Sequence, residues 1–275
     1  MSSPLVAIVT GANRGIGRAI CVALIQQFSG PLVLYTASRA GVSIDLAGLS
    51  IPPTVQVRPA QLSLTDQASI TALSMMVANE HKGCDILINN AAIYYFQENI
   101  TASQLQETLD VNYRGTLNVC QAFLPIMRKN GRIVNVSSLA SQLKHFHPRL
   151  QARFLKPNLT FTELNVLVDE YSRFPDQHTA AASGWPLLAY FTSKAALNAA
   201  TRILARENPH LLINCCCPGW VDTTLGAQAG KPPKSVEEGA RIPLRLAIGD
   251  IGQVSGRYWA NETSASAGSG NIQDW

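Results

Sequence analysis

The chain has 275 residues, 47% of them hydrophobic and 15% charged, with a net charge of +4. That length and composition suit a large packed core and exclude a fibrous or disordered chain. The positive excess is not gathered into a basic stripe, so no nucleic-acid partner is expected. No stretch reaches about eighteen uninterrupted apolar residues and the N-terminus lacks a signal-peptide layout, so a cytoplasmic protein without membrane contact is expected.

Residues 5–9, Leu-Val-Ala-Ile-Val, read as a buried parallel strand. Thr10-Gly11-Ala12-Asn13-Arg14-Gly15-Ile16-Gly17 follows, and then a helical run over 18–25. Glycine lets the backbone approach a ligand closely, and a helix N-terminus presents unpaired N–H groups to a pyrophosphate. The spacing is Gly-x-x-x-Gly-x-Gly, not Gly-x-Gly-x-x-Gly. Taken alone, it also reads as a tight strand-to-helix connection with no ligand.

Further strand-like runs fall at 31–36, 54–60, 85–89, 131–136, 211–217 and 256–259, with helical patterns between most of them. The alternation predicts an α/β fold: a Rossmann-type doubly wound parallel sheet of about seven strands, one domain over 1–275. Right-handed crossovers bring the strand C-termini to one edge, where a ligand crevice opens. Residues 40–53 carry glycine, serine and two prolines, so a crossover helix there is expected to be short or absent.

Residues 154–171 include Phe154, Leu155, Leu159, Phe161, Leu164, Val166, Leu167 and Val168. Packed helix is expected, capped by Thr160 or Thr162, with Glu163 in its first turn. Residues 190–194 read Tyr-Phe-Thr-Ser-Lys. On a helix, that spacing sets Tyr190 and Lys194 on one face. A free phenol, with a pKa near ~10, is a poor acid or base at neutral pH; a nearby ammonium lowers that value. Taken alone, Tyr-x-x-x-Lys is also an ordinary pair on a solvated face. The serine-, alanine- and glycine-rich tail over 262–275 is expected to be partly disordered.

The six cysteines, Cys21, Cys84, Cys120, Cys215, Cys216 and Cys217, show no metal-ligand spacing and read as buried thiols. His145 and His147 flank Phe146 and read as exposed loop imidazoles. No metal is expected. Asn158-Leu159-Thr160 and Asn261-Glu262-Thr263 match glycosylation acceptors, which a cytosolic chain would not use.

With the glycine turn and the Tyr190–Lys194 pair stand Asn89-Asn90-Ala91-Ala92, Asn112-Tyr113-Arg114-Gly115, Asn135-Val136-Ser137-Ser138 and Pro218-Gly219. Six motifs in this order resemble the short-chain dehydrogenase/reductase family over about residues 5–259. The resemblance implies a catalytic tetrad of Asn112, Ser138, Tyr190 and Lys194. It implies cofactor contacts at Gly11, Asn13, Arg14, Gly15, Ile16, Gly17, Arg39, Leu62, Ser63, Asn90, Ala91, Tyr190, Lys194, Pro218, Gly219, Val221 and Thr223. Fifty-one residues separate Ser138 from Tyr190, far more than is usual in the family. An insertion at about 141–185 resembles the carbonyl reductase branch, whose members are typically monomers, and a monomer is expected.

NAD enzymes often carry an acid after the second strand. Here that strand ends Thr36-Ala37-Ser38-Arg39. Arg39 and Arg14 suit the 2′-phosphate of NADP. Two residues depart from the family pattern: Ser63, where an acid often meets the adenine, and Ala92, where glycine is usual.

The implied activity is NADPH-dependent reduction of a ketone, aldehyde, diketone or quinone, with Tyr190 as general acid. The alternatives are an NADP-binding regulatory protein without turnover and an NAD-dependent alcohol dehydrogenase. The substrate pocket is expected to use Tyr94, Tyr95, Phe96, Leu139 and Trp185. The insertion is expected to bring Phe154, Phe161 or Trp185 towards its mouth.

Overall fold

The computed structural model describes residues 3–275. The first half runs β1 (Leu5–Thr10), α1 (Gly15–Gln27), β2 (Leu32–Ser38), β3 (Val55–Gln61), α2 (Gln67–His81), β4 (Cys84–Asn89), α3 (Ala102–Leu109), a π-helical turn (Asp110–Gly115) and α4 (Thr116–Phe123). Next come β5 (Met127–Val136), α5 (Pro148–Phe154), α6 (Phe161–Ser172), α7 (Gln177–Ala182), α8 (Ala189–Glu207), β6 (Leu212–Cys216), α9 (Val236–Ile248), β7 (Tyr258–Ala260) and β8 (Asn271–Gln273).

The strands form one sheet in the order β3-β2-β1-β4-β5-β6-β7-β8. All pairings are parallel except β7 with β8. Every residue of β2 is buried, and so are Val6–Thr10 of β1, as strands covered on both faces must be. Alternation along β1 divides the core. Val6 and Ile8 face the layer that includes α8, whereas Ala7 and Val9 face α1 and α9. The chain order reverses between β1 and β4, which puts the ligand crevice at their C-terminal ends. No helix separates β2 from β3, as the composition of 40–53 predicts.

The far edge of the sheet and the tail differ from expectation. The sheet has eight strands, not about seven, and the extra strand lies in the tail expected to be partly disordered. β8 pairs antiparallel with β7, Tyr258 opposite Gln273. The tail has few apolar groups to bury; polar side chains satisfy its backbone instead. Arg241 donates to the Ala267 carbonyl at 2.6 Å, and the Asn261 amide donates to Ser266 at 2.6 Å.

The insertion is folded. Thr160 caps α6 in a reciprocal box with Glu163. Leu164, Leu167, Val168 and Tyr171 make one buried stripe at helical spacing. Phe154 and Trp185 do not approach the substrate mouth. They are 0% and 3% exposed and pack among Phe146 and Tyr171, with ring centroids 5.3 Å apart for Phe146–Phe154 and 5.2 Å for Tyr171–Trp185. A satellite layer needs its own core, and these aromatics are the largest groups available to fill it. Phe161 packs against the same core.

Polar contacts fasten α6 to the π-helical turn. Tyr113 donates to Asn165 at 2.7 Å, while Arg114 bridges Asp110 and Asp169 at 2.6 Å each.

Candidate active site

The glycine turn closes tightly over β4. Gly11 adopts a φ of +65°, and a Cβ there would lie 2.9 Å from the Ala91 backbone. Thr10 Oγ1 accepts from the N–H groups of Asn90 and Ala91, both at 3.0 Å. The Asn90 amide returns a bond to the Thr10 carbonyl at 3.0 Å. α1 begins without a side-chain cap and with no acid in its first turn. Its first N–H groups, with the positive end of the helix dipole, therefore remain available to an anion.

Gly17 has a different role from the expected one. It does not line the cavity; a Cβ there would fall 2.2 Å from the Gly11 carbonyl, so it lets α1 sit close against the turn. Every other cofactor residue expected from sequence lines one cavity of about 780 Å³ at the β1–β4 crevice. Arg14 and Arg39 stand exposed in its wall. Neither guanidinium forms an ion pair among the described residues. Ser63 lines the wall where an acid was the family expectation, and its hydroxyl lies 3.3 Å from that of Thr65. Ala92 also lines the cavity, without a left-handed backbone.

Ser138 follows β5 and accepts from the Ala140 N–H at 3.1 Å. Tyr190 and Lys194 come from the first turns of α8, with Lys194 Nζ 5.5 Å from the centre of the phenol ring. The ammonium donates to the Val136 carbonyl at 2.8 Å. Burial pushes Lys194 down to about 8. Burial also pushes the Tyr190 phenol up, while hydrogen bonding with Ser138 pulls the other way. Burial outweighs the Ser138 hydrogen bond, and the phenol stays above its ordinary value. Tyr190 is therefore a protonated phenol at neutral pH, the state an acid needs.

Asn112 does not line the cavity. Its Oδ1 accepts from the Ile93 N–H at 2.8 Å, and its amide donates to the Ile93 carbonyl at 2.9 Å and to Ser193 Oγ at 3.1 Å. Ser193 in turn donates to the Tyr190 carbonyl at 2.7 Å. Asn112 thus ties the π-helical turn to the Tyr190–Lys194 stretch of α8.

Of the expected substrate contacts, Tyr94 and Leu139 line the cavity. Tyr94 lies against Tyr190, ring centroids 4.6 Å apart, and burial raises its phenol to about 12. Tyr95, Phe96 and Trp185 are not in the wall. Tyr95 turns aside to donate to Glu107 at 2.6 Å, Phe96 is 49% exposed, and Trp185 belongs to the insertion core.

Sequence reasoning missed Cys217 as a wall residue. Its sulfur accepts from the N–H groups of Leu139 and Gly219 at 3.1 and 3.3 Å, and burial keeps the thiol neutral by raising its pKa. Its position just before Pro218-Gly219 was the available signal. Lys234, which is not in the wall but holds Pro218, was missed too. It is 2% exposed and donates to the Pro218 carbonyl at 2.8 Å, a contact that depends on a long-range pairing with Val221.

A short chain dehydrogenase profile matches residues 5–148. The chain is 37% identical over 253 residues to carbonyl reductase (NADPH) 1 of Oryctolagus cuniculus, covering 88% of this chain and 90% of that protein. The chain belongs to the short-chain dehydrogenase family. Carbonyl reductase (NADPH) 1 of Homo sapiens is similar at 38% identity, over 90% of this chain and 92% of its own. Salutaridine reductase of Papaver somniferum has a similar structure: TM-score 0.79, 27% identity, covering 92% of this chain and 99% of that one. An NADPH-bound carbonyl reductase from chicken fatty liver gives a TM-score of 0.68 at 25% identity, with full coverage of both chains. Among the described residues, no helix is long and apolar enough to cross a membrane, and no group of three or more metal-binding side chains occurs.

Proposed function

We propose that this family member reduces the carbonyl group of a small molecule with NADPH. One observation carries the reading. A single cavity joins the unpaired Arg14 and Arg39, the uncapped start of α1 and the Ser138–Tyr190–Lys194 group. Its chemistry changes along its length as a dinucleotide would require: cationic, then rich in N–H donors, then acidic at a phenol. The resemblance to NADPH carbonyl reductases supports the same reading.

Arg14 and Arg39 would hold a 2′-phosphate by charge-assisted forks. The turn from Gly11 to Ile16 would meet the pyrophosphate, with Leu62, Ser63, Asn90, Ala91, Pro218, Gly219, Val221 and Thr223 completing the wall. The dinucleotide, when bound, supplies the hydride. The Ser138 hydroxyl donates to the substrate oxygen and orients it. Tyr190 passes its phenol proton to that oxygen as negative charge develops there. Lys194, with one N–H on Val136, stabilises the remaining phenolate through its charge. Asn112 is a positioning residue. Its amide is already committed to Ile93 and Ser193, so it would act on the site by holding α8 in place.

We read residues 1–275 as one domain with an insertion at about 141–185, and the protein as a cytoplasmic monomer. An apolar insertion folded just before α8 supports the monomer by covering a face that would otherwise need a partner.

The test is a panel of ketones, aldehydes, diketones and quinones assayed with NADPH and NADH. Turnover with NADPH in clear preference to NADH is the expected result. Tight NADPH binding with no turnover on any class would favour a regulatory protein. Equal use of NADH would remove the role given to Arg14 and Arg39.

A further inference from the structure

A second hollow, of about 340 Å³, opens between the insertion, α8 and the approach to β7. Pro157 and Leu159 form its insertion side, Arg202 and Arg206 stand on α8, and Arg257 precedes β7. Arg202 lies twelve residues beyond Tyr190 in α8, ~18 Å along the helix at about 1.5 Å per residue. The hollow shares no lining residue with the active-site cavity.

No carboxylate lines this hollow. Arg202 and Arg206 are one turn apart, a spacing at which like charges repel. Burial and the charges of Arg206 and Arg257 all lower the pKa of Arg202. Arg206 donates to the Leu159 carbonyl at 2.8 Å and reaches Glu207 at 3.4 Å. The guanidiniums of Arg202 and Arg257 have no ion-pair partner among the described residues. Elsewhere, Arg114, Arg128 and Arg153 each face a carboxylate at 2.6 Å. Here the fold holds three cations around a concave surface and pairs only Arg206 with a carboxylate, Glu207, which is outside the lining.

We propose that this hollow binds the phosphate group of a small phosphomonoester. A phosphate offers three acceptor oxygens and nearly two negative charges, so each guanidinium can fork onto it. A single carboxylate offers two oxygens and one charge, too little for three arginines. The volume is at the small end of ligand sites and admits a phosphate with a short stem. Ala199 and Ile203 give that stem an apolar wall.

The test is calorimetric titration of glycerol phosphate in phosphate-free buffer, reading binding rather than turnover. Wild type, R202Q/R257Q and R14Q/R39Q are compared, and R257Q alone, at an exposed position, guards against misfolding. Saturable binding is expected in wild type and R14Q/R39Q. It should weaken about tenfold or more in R202Q/R257Q, with R257Q between them. No saturable binding in wild type, or loss that follows Arg14 and Arg39 instead, overturns the proposal. Inorganic phosphate binding as tightly as the ester would make free phosphate the ligand and overturn the ester assignment. Co-sedimentation with phosphatidic acid vesicles, lost in R202Q/R257Q and without binding of glycerol phosphate, would make the source a lipid headgroup and also overturn it.

Discussion

A phenol and an ammonium one helical turn apart in water would each favour the other's charge; enclosed together, Tyr190 and Lys194 are both pushed towards neutrality. A phenol held neutral beside Ser138 keeps its proton ready for release, the role proposed for Tyr190. Tyr190→Phe should lower kcat by about 10²–10⁴-fold and leave NADPH affinity nearly unchanged. Single-turnover rates and a fluorescence titration of NADPH check this; a variant retaining most of the wild-type chemical rate would remove Tyr190 from the mechanism. Lys194 makes a separate prediction without dinucleotide. Its pKa is about 8 in the fold against 10.5 ordinarily. Below about 8 both folded and unfolded chains hold its proton, and the burial cost is fully present. Between those values the unfolded chain holds more protons, so stability rises with pH. The stability of wild type relative to Lys194→Met should therefore increase by roughly 2–3 kcal/mol between pH 7 and pH 10. The Tyr190 phenol titrates in both proteins and largely cancels in this difference. Urea denaturation at several pH values gives the result; a flat difference would mean that Lys194 is solvated and unshifted.

Single elements carry the coupling between parts. The π-helical turn presents Asn112 to Ile93 and α8 on one side, and Tyr113 and Arg114 to α6 on the other. Arg114→Ala removes two ion pairs from a side chain only 28% exposed and leaves Asp110 and Asp169 without their partner. It should cost about 1–2 kcal/mol and quicken proteolysis within 141–185. Thermal melts with timed trypsin digestion would show it, and unchanged values for both would mean that α6 does not depend on this anchor. At the end of β2, Arg39→Asp should weaken NADPH binding at least about tenfold and improve NADH by offering a partner to the ribose diol. Competitive binding of the two cofactors measures the exchange. Much of this scale was legible in the sequence: the glycine turn, the missing helix before β3 and the Thr160 cap all rest on local chemistry. The fates of Tyr95, Trp185 and Lys234 were not, because contacts with Glu107, Phe146 and Pro218 set them, and those partners lie far away in sequence or in an element of unknown packing.

At the scale of the whole molecule, the proposed monomer rests on the insertion. Its large groups face inward, while Leu155 and Val166 remain exposed. A monomer by light scattering at micromolar concentration, resistant to brief proteolysis, is the expected result; a stable dimer cleaved rapidly within 141–185 would overturn it. The sheet order was readable because alternating strands and helices allow few topologies. β8 was not, because its pairing depends on arginines of α9 and on the β7 edge, which no local pattern in the tail reveals. The packing of α1 on α9 has a consequence for synthesis on the ribosome. Ile20, Leu24 and Ile25 are made early, but Ile242 and Leu246, which cover them, come near the end of translation. At about 5–20 residues per second, the first helix waits on the order of ten to forty seconds for its partner. Until α9 emerges, the stripe that it covers in the fold lacks that partner, so shielding of the first helix by a chaperone is expected to raise the yield.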